Sequence, residues 1–258
     1  MPELPEVESA VRLLRRAATN KTIARVQLLH ASHRRRVPPS TLRALRGAVV
    51  RSVERRGKHQ LLRLEDGRTL HAHFRMTGDW TVDRATDPLP RFARAAITFA
   101  DGSRLVLDDS RALSTFDVYG RGAGPELKLG PEPDDPGLTP VALHAALARR
   151  RGPIKPVLLD QRVIAGLGNI YAAEALWHAR ISPRASAASL SLGRLRALLS
   201  AVRRVIGRAT GARYTDDSVV RLAVYDREEK PCRRCRTPIR RIAQAGRSTY
   251  FCPGCQRA

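Results

Sequence analysis

All four cysteines of this 258-residue chain lie in its last 27 residues, as Cys232-Arg-Arg-Cys235 and Cys252-Pro-Gly-Cys255 with sixteen residues between the pairs. No other feature narrows the fold as much. A CxxC turn aims two sulfurs at one point, and two such turns complete a tetrahedron. The spacing predicts a ribbon stapled by one structural zinc ion on Cys232, Cys235, Cys252 and Cys255. Two disulfides, or a redox pair, would use the same residues; a reducing compartment disfavours both.

Charge narrows the partner. Lys and Arg number 47 against 24 Asp and Glu, a formal net charge of +23. Self-repulsion on that scale favours a polyanionic partner, and nucleic acid is the default. An Arg- and Ala-rich genome bias accounts for part of the excess. From Asp226 to Ala258 nine basic residues face three acidic ones, a formal +6. A small metal-stapled hairpin with that charge suits a DNA groove or phosphate backbone, although a solvated charged surface has the same composition. Aromatics make up only 5% of the chain, which argues against broad base-stacking platforms. No apolar run approaches eighteen residues, and the acidic, polar start does not read as a signal peptide. The expectation is a soluble protein of the cytoplasm without a membrane partner. The absence of heptads or a long exposed apolar stripe suggests a monomer.

The chain changes character once. Val7, Val11 and Leu14 recur at helical spacing after Pro5, which predicts a helix over 5–17. Residues 22–30 and 48–57 read as strands, followed by two strand–turn–strand patterns around Glu65-Asp66-Gly67 and Asp101-Gly102. Strands joined by tight turns without intervening helices indicate an antiparallel sandwich or barrel. The Gly- and Pro-rich stretch from residue 121 reads as a linker, and helices are predicted near 139–151, 154–162, 169–179 and 190–209. The fold class is α+β multidomain: a β-rich domain over 1–120, a linker over 121–138, a helical domain over 139–224 and the zinc ribbon over 225–258.

The opening, MPELPEVES, admits two readings. Pro2 and the acids Glu3, Glu6 and Glu8 suit a helix N-terminus. Alternatively, removal of Met1 exposes Pro2 as a secondary amine, a nucleophile toward a sugar C1′, with Glu3 beside it to move protons.

Taken in order, PELPEVE, RRGK at 55–58, LLDQRVIAGLGNIYAAEALW at 158–177 and the paired CxxC motifs resemble the formamidopyrimidine-DNA glycosylase/endonuclease VIII family, and PELPEVE is closer to the first branch. The likeness runs essentially end to end. It implies a β-sandwich with flanking helices, a helix–two-turn–helix domain and a zinc finger, with damaged double-stranded DNA in the cleft between the halves. It implies a base-excision reaction in which the damaged nucleotide is flipped out, the N-terminal proline displaces the base as a Schiff base, and β,δ-elimination cuts the strand. On this resemblance Pro2 is the nucleophile, Glu3 the proton donor, and Lys58 a phosphate-reaching lysine near the lesion. Asn169 and Arg247 would bind phosphates, and Lys155 would lie near the lesion pocket. Glu6 and Glu174 support the site; Met76 and Arg111 fill the void left by the flipped base. The implied location is the bacterial cytoplasm, on the nucleoid when bound.

Two departures stand out. The branch usually reads DPRRFG where this chain reads DSRALS, so the third void-filling residue is Leu113 rather than phenylalanine. The segment TGARYTDDSVVRLA is short where relatives carry a longer glycine-containing loop over flipped oxoguanine. Formamidopyrimidines, oxidised pyrimidines or abasic sites are therefore expected to be processed at least as fast as oxoguanine. A non-catalytic damage-binding relative is the competing function; the joint presence of Pro2, Glu3 and Lys58 argues against it. A zinc-ribbon factor of transcription or translation would not need Pro-Glu after Met1.

Duplex DNA affinity should fall steeply between 50 and 200 mM salt, by roughly 10³-fold or more if about six phosphates are contacted. Titration by fluorescence anisotropy would measure the slope, and a flat profile would contradict the polyanion partner.

Overall fold

The computed structural model describes residues 2–210 and 221–257. The chain divides into two compact units, one holding Pro2 and Glu6–Leu127, the other Glu3–Pro5 and Lys128–Ala258. The first helix, α1 (Leu4–Ala18), starts where its composition says it should, with Pro5 in the first turn. Its Val7, Ala10, Val11, Leu14 and Ala18 are buried in the core of the first unit, whereas Leu4 is buried in the core of the second.

The first unit continues through β1 (Ile23–Leu28) and two short helices, α2 (Ala31–Arg34) and α3 (Pro39–Arg43), too brief to leave a hydrophobic period in the sequence. Then come β2 (Val50–Arg56), β3 (His59–Leu64), β4 (Thr69–His73), β5 (Asp79–Arg84), β6 (Ala93–Phe99), β7 (Ser103–Asp108) and β8 (Thr115–Tyr119). They form two four-stranded sheets, β1-β6-β7-β5 and β2-β3-β4-β8, antiparallel throughout. Leu62, Leu70, Phe99, Leu105 and Phe116 fill the space between them. One polar pin crosses that core: the Trp80 indole donates to Gln60 Oε1 at 2.7 Å.

The second unit is helical. Thr139 caps α4 (Pro140–Leu147) through the Ala142 N–H, and Ser191 caps α7 (Leu192–Ala209) through the Arg194 N–H. Between them lie α5 (Ile154–Leu158) and α6 (Asn169–His178). Two helices are shorter than their sequence pattern. α4 stops at Leu147, ahead of Gly152-Pro153. α5 stops at Leu158, where side chains compete for the backbone. Asp160 Oδ1 accepts the Arg162 N–H, and the Gln161 amide donates to Leu159 O and Leu167 O. Gln161 Oε1 in turn accepts the Gly166 N–H. One glutamine thus shapes the loop that leads into α6.

The chain closes with the hairpin β9 (Arg240–Gln244) and β10 (Arg247–Phe251). Ala245 and Gly246, at φ +48° and +71°, form its two-residue turn; both central residues of a type I′ turn need positive φ. Among the described residues, no helix is long and apolar enough to cross a membrane.

Candidate active site

The N-terminus of a helix leaves backbone N–H groups without intrahelical partners. In α6 two of these groups point at Glu3. Ile170 N–H donates to Glu3 Oε1 at 2.9 Å and Tyr171 N–H to Oε2 at 3.3 Å. The helix dipole and the two donors together favour a carboxylate there. Glu3 is 1% exposed. The GLGN glycines make the approach possible. A Cβ on Gly168 would sit 2.2 Å from the Glu3 carboxyl carbon, and one on Gly166 would sit 2.8 Å from Leu4 Cβ. Gly166 also adopts φ +82°, and its carbonyl accepts the Leu4 N–H at 3.1 Å. Two N–H groups at the start of α6 are therefore taken by the chain's own Glu3.

Asn169 begins α6 and faces the hairpin. Its side-chain amide donates to Ser248 O at 3.1 Å, and its Oδ1 accepts from the Lys155 ammonium. Lys155, 1% exposed on α5, also donates to Thr249 Oγ1 at 2.8 Å and Ser248 O at 3.1 Å. Burial pushes this ammonium down to about 8; the positive charge of Arg247 adds to that, and Glu3 opposes it. Lys155 thus ties α5, α6 and β10 together. Arg247 stands beside this junction, at the start of β10, with its side chain exposed.

Farther along α6, the buried Glu174 carboxylate accepts three backbone N–H groups, from Ala223 at 2.7 Å, Val224 at 2.8 Å and Tyr225 at 2.9 Å. Burial raises its pKa against the pull of those donors. It anchors the chain immediately before the ribbon. Within the segment whose brevity bears on lesion choice, 210–223, residues 211–220 lie outside the described residues.

The cysteine sulfurs all lie within 4.8 Å of one another. Cys232 and Cys255 are 3.9 Å apart and Cys235 and Cys252 3.4 Å apart. A tetrahedral zinc ion with Zn–S bonds of about 2.3 Å spaces its sulfurs about 3.8 Å apart, so the set fits. N–H groups of Arg234 and Cys255 and the Trp177 indole point at Cys232 or Cys252 sulfur at 3.4 Å, donors that suit thiolates. Trp177, on the last turn of α6, packs with Ile239 and Tyr250 of the ribbon and carries the Arg234 guanidinium 4.1 Å above its ring.

The remaining candidates belong to the first unit. Pro2 is buried and Glu6 lies half-buried in the first turn of α1. Lys58, 7% exposed, occupies the two-residue β2–β3 turn with Gly57, which takes φ +56°. Glu8 braces that turn from α1: its Oε2 accepts Arg55 Nε at 2.8 Å, and Arg55 also donates to Gly57 O at 3.2 Å. Burial works against the Glu8 charge, but the Arg55 hydrogen bond and the charges of Arg55, Arg15 and Arg12 hold its pKa low. Met76 sits in the β4–β5 loop. Gly78 N–H closes that loop onto Phe74 O, and a Cβ on Gly78 would come within 2.9 Å of the same oxygen. Arg111 and Leu113 project from the β7–β8 loop, Leu113 with 45% of its surface exposed.

Several working residues carry no signal of their own in the sequence. Glu8 and Thr249 act through partners distant along the chain, Arg55 and Lys155, and Gln161 acts across its own loop. Gln161 was within reach, because it stands inside the DQRVIAGLGN block.

Three sequence-family models match the chain. They are the formamidopyrimidine-DNA glycosylase N-terminal domain over residues 1–116, its H2TH domain over 129–218, and the zinc finger found in FPG and IleRS over 229–258. The formamidopyrimidine-DNA glycosylase of Symbiobacterium thermophilum is 42% identical across 99% of this chain and 89% of its own length. That of Paracoccus denitrificans is 38% identical across the whole of both. Among solved structures, MutM in complex with DNA containing carbocyclic 8-oxo-G superimposes with a TM-score of 0.89 at 27% identity over the full length of both chains. Lactococcus lactis Fpg bound non-covalently to DNA with an AP site gives 0.90 at 27% identity over 99% of this chain and 100% of that one.

Two stability measurements check this geometry. Gly168→Ala should cost about 1–3 kcal/mol by expelling Glu3 from the helix end, and much less in a Glu3→Ala background; equal costs in both backgrounds by urea unfolding would show that Glu3 is not the obstacle. The Lys155 proton is held less tightly by the folded chain, at about 8, than by the unfolded one at 10.5. Folding therefore gains stability as pH rises from 8 to 10.5, by on the order of 3 kcal/mol, and the penalty is fully present below that window. Lys155→Met should remove this rise relative to the parent in pH-dependent denaturation.

Proposed function

This chain belongs to the formamidopyrimidine-DNA glycosylase family, and from that premise we propose that it excises damaged bases from double-stranded DNA and then cuts the strand, with Pro2 as nucleophile and Glu3 as proton carrier. The observation that carries this reading is the seat of Glu3. A carboxylate fixed by two N–H groups of α6 stands one peptide bond from the amine that Met1 removal exposes.

The steps follow from ordinary amine chemistry. The Pro2 nitrogen lone pair attacks C1′ as the glycosidic bond breaks and its electron pair leaves with the base. Glu3 takes the proton released from the amine and delivers it to the ring oxygen O4′ as the C1′–O4′ bond breaks, while the departing base takes its proton from solvent. The opened sugar is then an iminium, which draws electrons from C2′. Loss of a C2′ proton expels the 3′ phosphate, and a second elimination expels the 5′ phosphate. Lys58, Asn169 and Arg247 hold phosphates around the lesion, while Met76, Arg111 and Leu113 occupy the emptied space in the duplex. Lys155 supports this machinery by holding Asn169 and the backbone beside Arg247. Glu6 and Glu174 brace it. One zinc ion on the four cysteines clamps the ribbon and takes no part in the chemistry. The enzyme acts as a monomer in the bacterial cytoplasm.

Borohydride trapping tests the central step. Protein with Pro2 confirmed as its first residue, incubated with a duplex carrying one abasic site and reduced, should yield a covalent adduct on Pro2 by mass spectrometry. Glu3→Gln should keep the duplex bound yet slow base release by on the order of 100-fold or more. A bound duplex without adduct would leave the non-catalytic, damage-binding role as the function.

A further inference from the structure

Asp109, the residue after β7, is fully buried, and both of its carboxylate oxygens are occupied. Oδ1 accepts the Thr77 hydroxyl and the Arg111 N–H, the latter at 3.1 Å. Oδ2 accepts the N–H groups of Leu113 at 2.8 Å and Ser114 at 2.7 Å. Its own backbone is pinned as well: the N–H donates to Phe92 O at 3.0 Å, and the carbonyl accepts Arg94 Nε at 2.7 Å. Burial alone would raise this carboxyl, but the Thr77, Ser114 and Arg111 donors outweigh it and hold the pKa below the usual carboxylate range.

The partners come from two loops. Thr77 follows Met76 in the β4–β5 loop; Arg111, Leu113 and Ser114 form the β7–β8 loop. That second loop needs a guide, because Ala112 sits at φ +52°, a conformation an alanine does not choose unaided. We infer that Asp109 is a positioning residue that locks the two void-filling loops to each other, so that Met76, Arg111 and Leu113 enter the duplex as one rigid wedge. The inference rests on the proposed role of those three side chains. It assigns to one buried carboxylate the register between them, and with it the discrimination of the base opposite the lesion.

Asparagine in place of Asp109 keeps the shape but turns one acceptor arm into a donor that faces donors. With a base-containing lesion duplex, Asp109→Asn should slow base release by on the order of 10- to 100-fold. The rate ratio between cytosine and adenine opposite the lesion should collapse toward one. Arg111→Ala alone should do the same, and adding it to Asp109→Asn should cost less than about threefold more, because the two act through one element. Met76 is one of only two methionines, so methyl-labelled protein lacking Met1 gives a single resonance, which Asp109→Asn should shift or broaden. A folded Asp109→Asn protein with parental opposite-base discrimination, or a double variant whose losses multiply, would overturn the inference. If Asp109→Asn does not fold, Thr77→Val removes the hydroxyl link alone; it should lower discrimination in the same direction, and an unchanged ratio would overturn the coupling of the loops. An unaffected Arg111→Ala would instead overturn the wedge role itself, together with this inference.

Discussion

The second unit is organised around the contact between the Glu3 carboxylate and the first turn of α6. A buried acid and a helix end full of unpaired N–H groups are each unfavourable alone, and each removes the other's penalty. The contact explains why the loop before α6 contains glycine at 166 and 168: any side chain there would occupy the space of Leu4 or Glu3. It also makes α6 the ruler of this unit. The helix is ten residues long, about 15 Å. Its start holds Glu3, its middle holds Glu174 against the backbone of 223–225, and its last turn presents Trp177 to the zinc ribbon. The proposed proton carrier and the metal site are therefore referred to a single rigid element.

Charge is divided between inside and outside. With a net charge of +23, acids are scarce, and the structure uses several as internal brackets. Glu3, Asp109 and Glu174 are buried and accept backbone N–H groups, while Glu8 gathers three arginines beside the Lys58 turn. Backbone dipoles stabilise such carboxylates without consuming a cation. Arg111 and Arg247 are left exposed, where a family that works on DNA needs positive charge. Lys155 is the inverse case: a cation drawn inside, held by three oxygen acceptors, with burial depressing its pKa.

Much of this was legible in the chain itself. The cysteine spacing, the apolar period of α1, the hairpin turns and the switch from strands to helices are local signals, because each depends on residues within a few positions of one another. The motifs in their order carried the family, and with it the roles proposed for Pro2, Glu3 and Lys58. The limits of α4 and α5 were less legible, since they depend on side chains such as Gln161 that bind backbone across a loop.

Only the tertiary structure decided which partner each working residue takes. Glu3 meets the α6 N–H groups 167 and 168 positions away, Lys155 meets Thr249 at a separation of 94, and Asp109 meets Thr77 at 32. A GLGN sequence announces a helix start able to receive an anion, but not that the anion is the chain's own third residue. A lysine in IKP announces a cation, but not that burial turns it into a strut. Residue type and short spacing set what a group can do chemically. Burial and long-range hydrogen bonding, which no local pattern encodes, set what it is held against.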